Sequence, residues 1–174
     1  ADSELAGGLG YQPWQIKILQ TEKKYGAKTT EELFRISQIV RDELRHARLM
    51  YRLLEDIDFG IDDWLLRHDF TFRVDGSVDL GSTRASGDKR VNIFYYPIET
   101  WCDFIIFNFL MDRGAGHQLE DVKRSSYAPW RREIKTVFTE ELFHMSHGDF
   151  WVKRLALDPV AHDDIQAALN AWWP

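Results

Sequence analysis

Cysteine is nearly absent from this 174-residue chain: Cys102 stands alone, so no internal disulfide can form and a reducing cytoplasm is the expected compartment. No signal peptide is read at its start. The longest apolar run, residues 104–111, is interrupted by Asn108 and falls far short of the ~20 residues a membrane helix needs. Basic residues are outnumbered, 22 Lys and Arg against 28 Asp and Glu, and form no stripe, which argues against nucleic acid as the main partner. Nor does any stretch read as a flavin, nicotinamide or iron–sulfur site. What the chain has is a core: 44% hydrophobic and 14% aromatic residues, enough for one folded domain over 1–174 and too many for a linker.

The pattern is helical. Residues 31–56 repeat apolar side chains at helical spacing, and Thr29 or Thr30 before Glu31 and Glu32 forms a capping-type start. Further helices are predicted after Pro97, with an irregularity near Gly114 and Gly116, after Pro129, and as a short C-terminal piece stopped by Pro174. The first twenty residues read as the last turns of a helix, a glycine-rich break and a second short helix. Between residues 70 and 92 the helical signal stops, and an alternating stretch around Asp75-Gly76 predicts a small hairpin followed by a polar loop. The whole reads as an all-α bundle with an insertion.

Within two of these helices a pentapeptide recurs. Asp42-Glu-Leu-Arg-His46 returns as Glu140-Glu-Leu-Phe-His144, 144 − 46 = 98 positions later. On the order of 0.4 Glu-x-x-His pairs are expected by chance, and roughly 0.01 with the preceding acid and the Leu required. Residues at i and i+3 share a helix face, so Glu43 with His46, and Glu141 with His144, can each point at one metal. In di-iron carboxylate bundles two helices each give Glu-x-x-His and two others each give a carboxylate. Spacing nominates Glu4, 43 − 4 = 39 before Glu43, and Asp103, 141 − 103 = 38 before Glu141, with Glu99 one turn earlier as the competitor. Four carboxylates balance two ferrous ions, and oxygen-rich ligation with two imidazoles suits iron or manganese better than zinc. Asp42 and Glu140 are placed to accept the second ring N–H of a ligating histidine. His68, His147 and His162 read as ordinary polar residues. Phe104, Phe107 and Leu110 form a core stripe, part of which could wall a pocket, while His117-Gln118 and Ser125 to Tyr127 are pocket-lining or helix-end candidates.

These residues resemble a known family, the catalytic, iron-binding subunits of phenylacetyl-CoA epoxidase, which are ferritin-like di-iron proteins of multicomponent bacterial monooxygenases. The resemblance runs through "RDELRH", "FYYPIETWCDF", "GHQ", "RSSYAPW", "EELFH" and "LNAWWP", most of the chain. It implies iron ligands at Glu4, Glu43, His46, Asp103, Glu141 and His144, and favours Asp103 over Glu99. Phe143 stands where related monooxygenases carry Arg, and the chain is shorter than the family's at both ends. The implied activity is O2 activation and epoxidation of the aromatic ring of an aryl-CoA thioester. Phe107 is the candidate for the ring pocket, Tyr127 a further substrate-contact candidate, and Arg124, Arg131 and Arg132 are candidates for the coenzyme A phosphates. Partners implied are an NAD(P)H reductase and a structural, non-catalytic sister subunit. The rival readings are a rubrerythrin-like di-iron oxidase or peroxidase, and a scaffold or iron-storage bundle.

Overall fold

The computed structural model describes residues 1–26, 28–67, 92–95 and 98–173. The all-α expectation holds: no strand occurs among the described residues. Seven helices are described, α1 (Asp2–Tyr11), α2 (Trp14–Tyr25), α3 (Thr29–Glu55), α4 (Ile61–Arg67), α5 (Trp101–Val122), α6 (Ala128–Leu157) and α7 (His162–Trp172), with a 3-10 turn at Asn92–Tyr95. The predicted hairpin around Asp75-Gly76, and His68, lie outside the described residues. The chain divides into two compact units, Ala1–Gln15 with Ile36–Pro97, and Ile16–Arg35 with Ile98–Pro174.

In the first unit, α1 packs on α3. The glycines expected to break the N-terminal helix are inside it, and the reason is proximity rather than flexibility. A Cβ at Gly7 would stand 2.6 Å from Glu43 Oε2, and one at Gly8 would stand 2.9 Å from Leu44 Cδ2. Asp2 ties the unit together, accepting hydrogen bonds from Tyr51 Oη (2.8 Å) and Trp64 Nε1 (3.3 Å). Ala47, Tyr51 and Ile61 form a small core against which Leu5 and Leu54 pack. α3 stops at a left-handed Asp58 (φ 62°), beyond which the Phe59 N–H reaches back to the Leu54 carbonyl, a Schellman-type ending. α4 has no counterpart in the sequence reading; seven residues are too few for periodicity to declare a helix.

In the second unit, α5, α6 and α7 pack on one another. α5 begins in a capping box: Asp103 N–H donates to Thr100 Oγ1, and the Thr100 N–H donates to Asp103 Oδ2. It runs unbroken through Gly114 and Gly116, where the sequence predicts an irregularity. Gly148 on α6 lets the helices close up, since a Cβ there would lie 2.9 Å from the Phe109 backbone. Trp101 stacks on Phe104 and meets Trp151 edge-on, and Phe107 meets Trp172 edge-on. α7 is tethered to α2 through Asp164, which accepts from Tyr25 Oη at 2.9 Å and pairs with Lys24 Nζ at 2.6 Å.

Candidate metal centre

The first Glu-x-x-His pair lies on α3, where one helical turn brings Glu43 and His46 to the same buried face, 6% and 0% exposed. α1 supplies a third donor. Its Glu4 carboxylate meets His46 Nδ1 at 3.2 Å, and Glu4, Glu43 and His46 each offer a ligand atom within 4.8 Å of the others. The glycines of α1 allow this approach, because any side chain at position 7 would occupy the place of the Glu43 carboxylate.

The second pair lies on α6, with Glu141 and His144 equally buried and Glu141 Oε2 3.7 Å from His144 Nδ1. Here the third donor is Asp112 of α5. Asp112, Glu141 and His144 again offer ligand atoms within 4.8 Å of one another. Each unit thus contains two carboxylates and one imidazole, a −2 set that one divalent cation would neutralise. Buried carboxylates grouped without a cation repel one another and lose hydration, so the donor chemistry fits a metal.

Five of the six expected ligands therefore fall into these two trios, and Asp103 does not. Its Oδ2 accepts from the Thr100 backbone and hydroxyl, and its Oδ1 accepts from Trp172 Nε1 at 3.0 Å. The residue that spacing misses is Asp112, 4% exposed, with Asn108 Nδ2 donating to its Oδ2. Two signals point to it. Thr100-x-x-Asp103 is itself a capping signature, and Asp112 is an acid on a helix that is otherwise largely apolar through its first eleven residues.

The other candidates are scattered. Asp42 is buried and accepts two hydrogen bonds from Arg41, at 3.0 and 2.8 Å. Glu140 is half-buried and Glu99 exposed. Phe107 lies in the core against Trp172. Tyr127 caps α6, its N–H donating to Ser125 Oγ, while Arg124, Arg131 and Arg132 are exposed around the α5–α6 turn. His147, read as an ordinary polar residue, is buried and held between Asn108 Oδ1 and Glu32 Oε2, 2.9 Å from each. Burial pushes the Glu32 carboxyl up. The hydrogen bond and charge of His147, with Trp151 and Arg35, outweigh that and hold it below the usual carboxylate range.

The described residues are all-helical and group buried carboxylates with histidines on two helices, a donor set that could hold a metal ion. Residues 27–174 match the family described as phenylacetic acid catabolic protein, and the chain belongs to that family. It is 28% identical over 137 residues to the A subunit of 1,2-phenylacetyl-CoA epoxidase from Escherichia coli (strain K12), covering 78% of this chain and 40% of that protein. It is 29% identical over 133 residues to benzoyl-CoA oxygenase component B of Aromatoleum evansii, covering 74% of this chain and 26% of that protein. The chain therefore spans less than half the length of each of these relatives. No described helix is long and apolar enough to cross a membrane.

Proposed function

We propose that this chain is the iron-binding part of an oxygenase acting on an aryl-CoA thioester, with two irons held by Glu4, Glu43 and His46 and by Asp112, Glu141 and His144. The observation that carries the reading is the twofold trio of two carboxylates and one imidazole, each set balanced by one ferrous ion. The irons would supply reductive activation of dioxygen; the chain's own residues do the rest. Glu43 and Glu141, each one helical turn from its histidine, would each hold a metal together with it. Packed apolar side chains along α5, among them Phe104 and Phe107, would keep the interior of the second unit dry.

Both relatives are named for CoA thioesters of aromatic acids, which favours the same substrate class here. A coenzyme A tail is long and anionic, so it belongs at a surface. The exposed Arg124, Arg131 and Arg132 beside Tyr127 are the groups assigned to its phosphates. Both relatives are also named as single parts of larger enzymes, which fits an assembly completed by a reductase and a sister subunit. The ring would be epoxidised, as the name of the first relative describes for that protein.

The test is turnover of phenylacetyl-CoA, benzoyl-CoA and free phenylacetate by the iron-loaded chain, with a reductase and a sister subunit supplied. Oxygenated CoA product with no product from the free acid supports the proposal. Equal turnover of the free acid overturns the thioester assignment. Rapid NADH-driven peroxide reduction without ring oxygenation would replace it with the peroxidase reading.

A further inference from the structure

One row of buried polar side chains in the second unit is not accounted for by ligation itself. It starts at Asp112 and continues through Asn108 and His147 to Glu32, where Trp151 Nε1 and the Arg35 guanidinium also arrive, each at 2.9 Å. Asn108 is 0% exposed, and Glu32 and His147 are nearly as deeply buried.

Glu32 is held ionised, so its carboxylate only accepts, and His147 Nε2 must donate to it. Asn108 has one donating and one accepting end. With Nδ2 toward the Asp112 carboxylate, Oδ1 faces His147 Nδ1 at 2.9 Å, and an N–H on that nitrogen would close the row. An N–H behind Asn108 opposes turning its amide over, which would replace the donor offered to Asp112 by an acceptor. The neighbouring Gly148 fits this arrangement. A Cβ there would lie 3.3 Å from Asn108 Oδ1 and closer still to the Phe109 backbone, so glycine lets α6 sit near enough for His147 to reach α5. Apolar side chains would fill the same space at no less stability, but they would not set the orientation of a carboxylate.

We propose that His147 is a positioning residue, which acts through Asn108 to hold the Asp112 carboxylate in the orientation that receives a metal. The inference rests on Asp112 being a ligand, as in the function proposed above.

Cobalt(II) titration of the whole chain tests it, read as affinity and as the visible absorption of the bound ion, alongside the melting temperature of the metal-free protein. His147→Leu and Asn108→Leu should each weaken binding of one ion by about tenfold, the scale on which a ligand's hydrogen-bond partner acts. The double variant should be no weaker than Asn108→Leu alone, because His147 acts only through Asn108. His147→Gln, which keeps an N–H for Asn108, should recover most of the affinity. If the leucine variants do not fold, Glu32→Gln should still weaken cobalt binding several-fold while His147→Gln stays near wild type. Cobalt bound equally by the wild type and all variants overturns this inference alone, as does a loss in melting temperature with affinity unchanged. A wild type that takes up no cobalt overturns the ligand assignment, and this inference with it.

Discussion

Gly7 stands where a Cβ would come within 2.6 Å of the Glu43 carboxylate, and that distance separates a ligand effect from a packing effect. The atom in the way is the end of a flexible side chain, so Gly7→Ala displaces Glu43 without disturbing the backbone. Alanine also favours a helix interior by roughly 0.5–1 kcal/mol over glycine. Metal-free Gly7→Ala should therefore melt at or slightly above the wild-type temperature and yet bind less metal. Gly8→Ala meets Leu44 Cγ and Cδ2 at 2.9 Å and should lose about 1–3 kcal/mol of stability instead. Melting curves and metal titrations of both variants check the contrast.

Spacing nominates Asp103 as the ligand, whereas Asp112 is the aspartate grouped with Glu141 and His144. Asp112→Asn should lose bound iron from the second trio while the chain remains folded. Asp103→Ala should keep its iron and lose ~1 kcal/mol or more from the α5 cap and the Trp172 hydrogen bond. Iron analysis and thermal melts of the two variants decide between them, and iron lost only from Asp103→Ala would restore Asp103 as the ligand.

The two Glu-x-x-His pairs are legible in the sequence because a single helical turn fixes their geometry, whatever the rest of the chain does. The third donors are harder to find. Counting back a matching interval from Glu141 reaches Asp103, whereas Asp112 lies only 141 − 112 = 29 residues away. Intervals include connections, and connections carry no register. The glycines of α1 mislead for a related reason: propensity marks them as a break, and only the approach of α3 shows why the helix needs them. His147 and Glu32 meet across 115 residues, and no local pattern announces such a bond.

The α2–α7 tether should respond to pH at both ends. Hydrogen bonds from Lys24 and Tyr25 hold the Asp164 carboxyl below its usual range, so its contribution exists above about pH 4 and fades as pH falls through the lowered value. Burial, then the bond to Asp164, pushes the Tyr25 hydroxyl up, so its contribution exists below about pH 10 and fades as pH rises through the raised value. The gap in melting temperature between the wild type and Tyr25→Phe should be widest from about pH 5 to 9 and narrow on both sides. A gap independent of pH would contradict this.

Gly148 faces backbone, which cannot yield as a side chain can. Gly148→Ala should cost about 1–3 kcal/mol, more than helix propensity returns, because its Cβ would lie 2.9 Å from Phe109 Cα and 3.0 Å from its nitrogen. Denaturant unfolding of this variant beside Gly114→Ala, where nothing lies within 4 Å, separates contact from propensity: Gly114→Ala should be neutral or stabilising.

Iron content after anaerobic loading with ferrous ion and removal of excess tests the proposed centre most directly. About two irons per chain should remain, with His46→Ala and His144→Ala each losing iron and His162→Ala keeping both. A single tetrahedral zinc per chain with no second metal, or iron retained unchanged in the His46 and His144 variants, would contradict it.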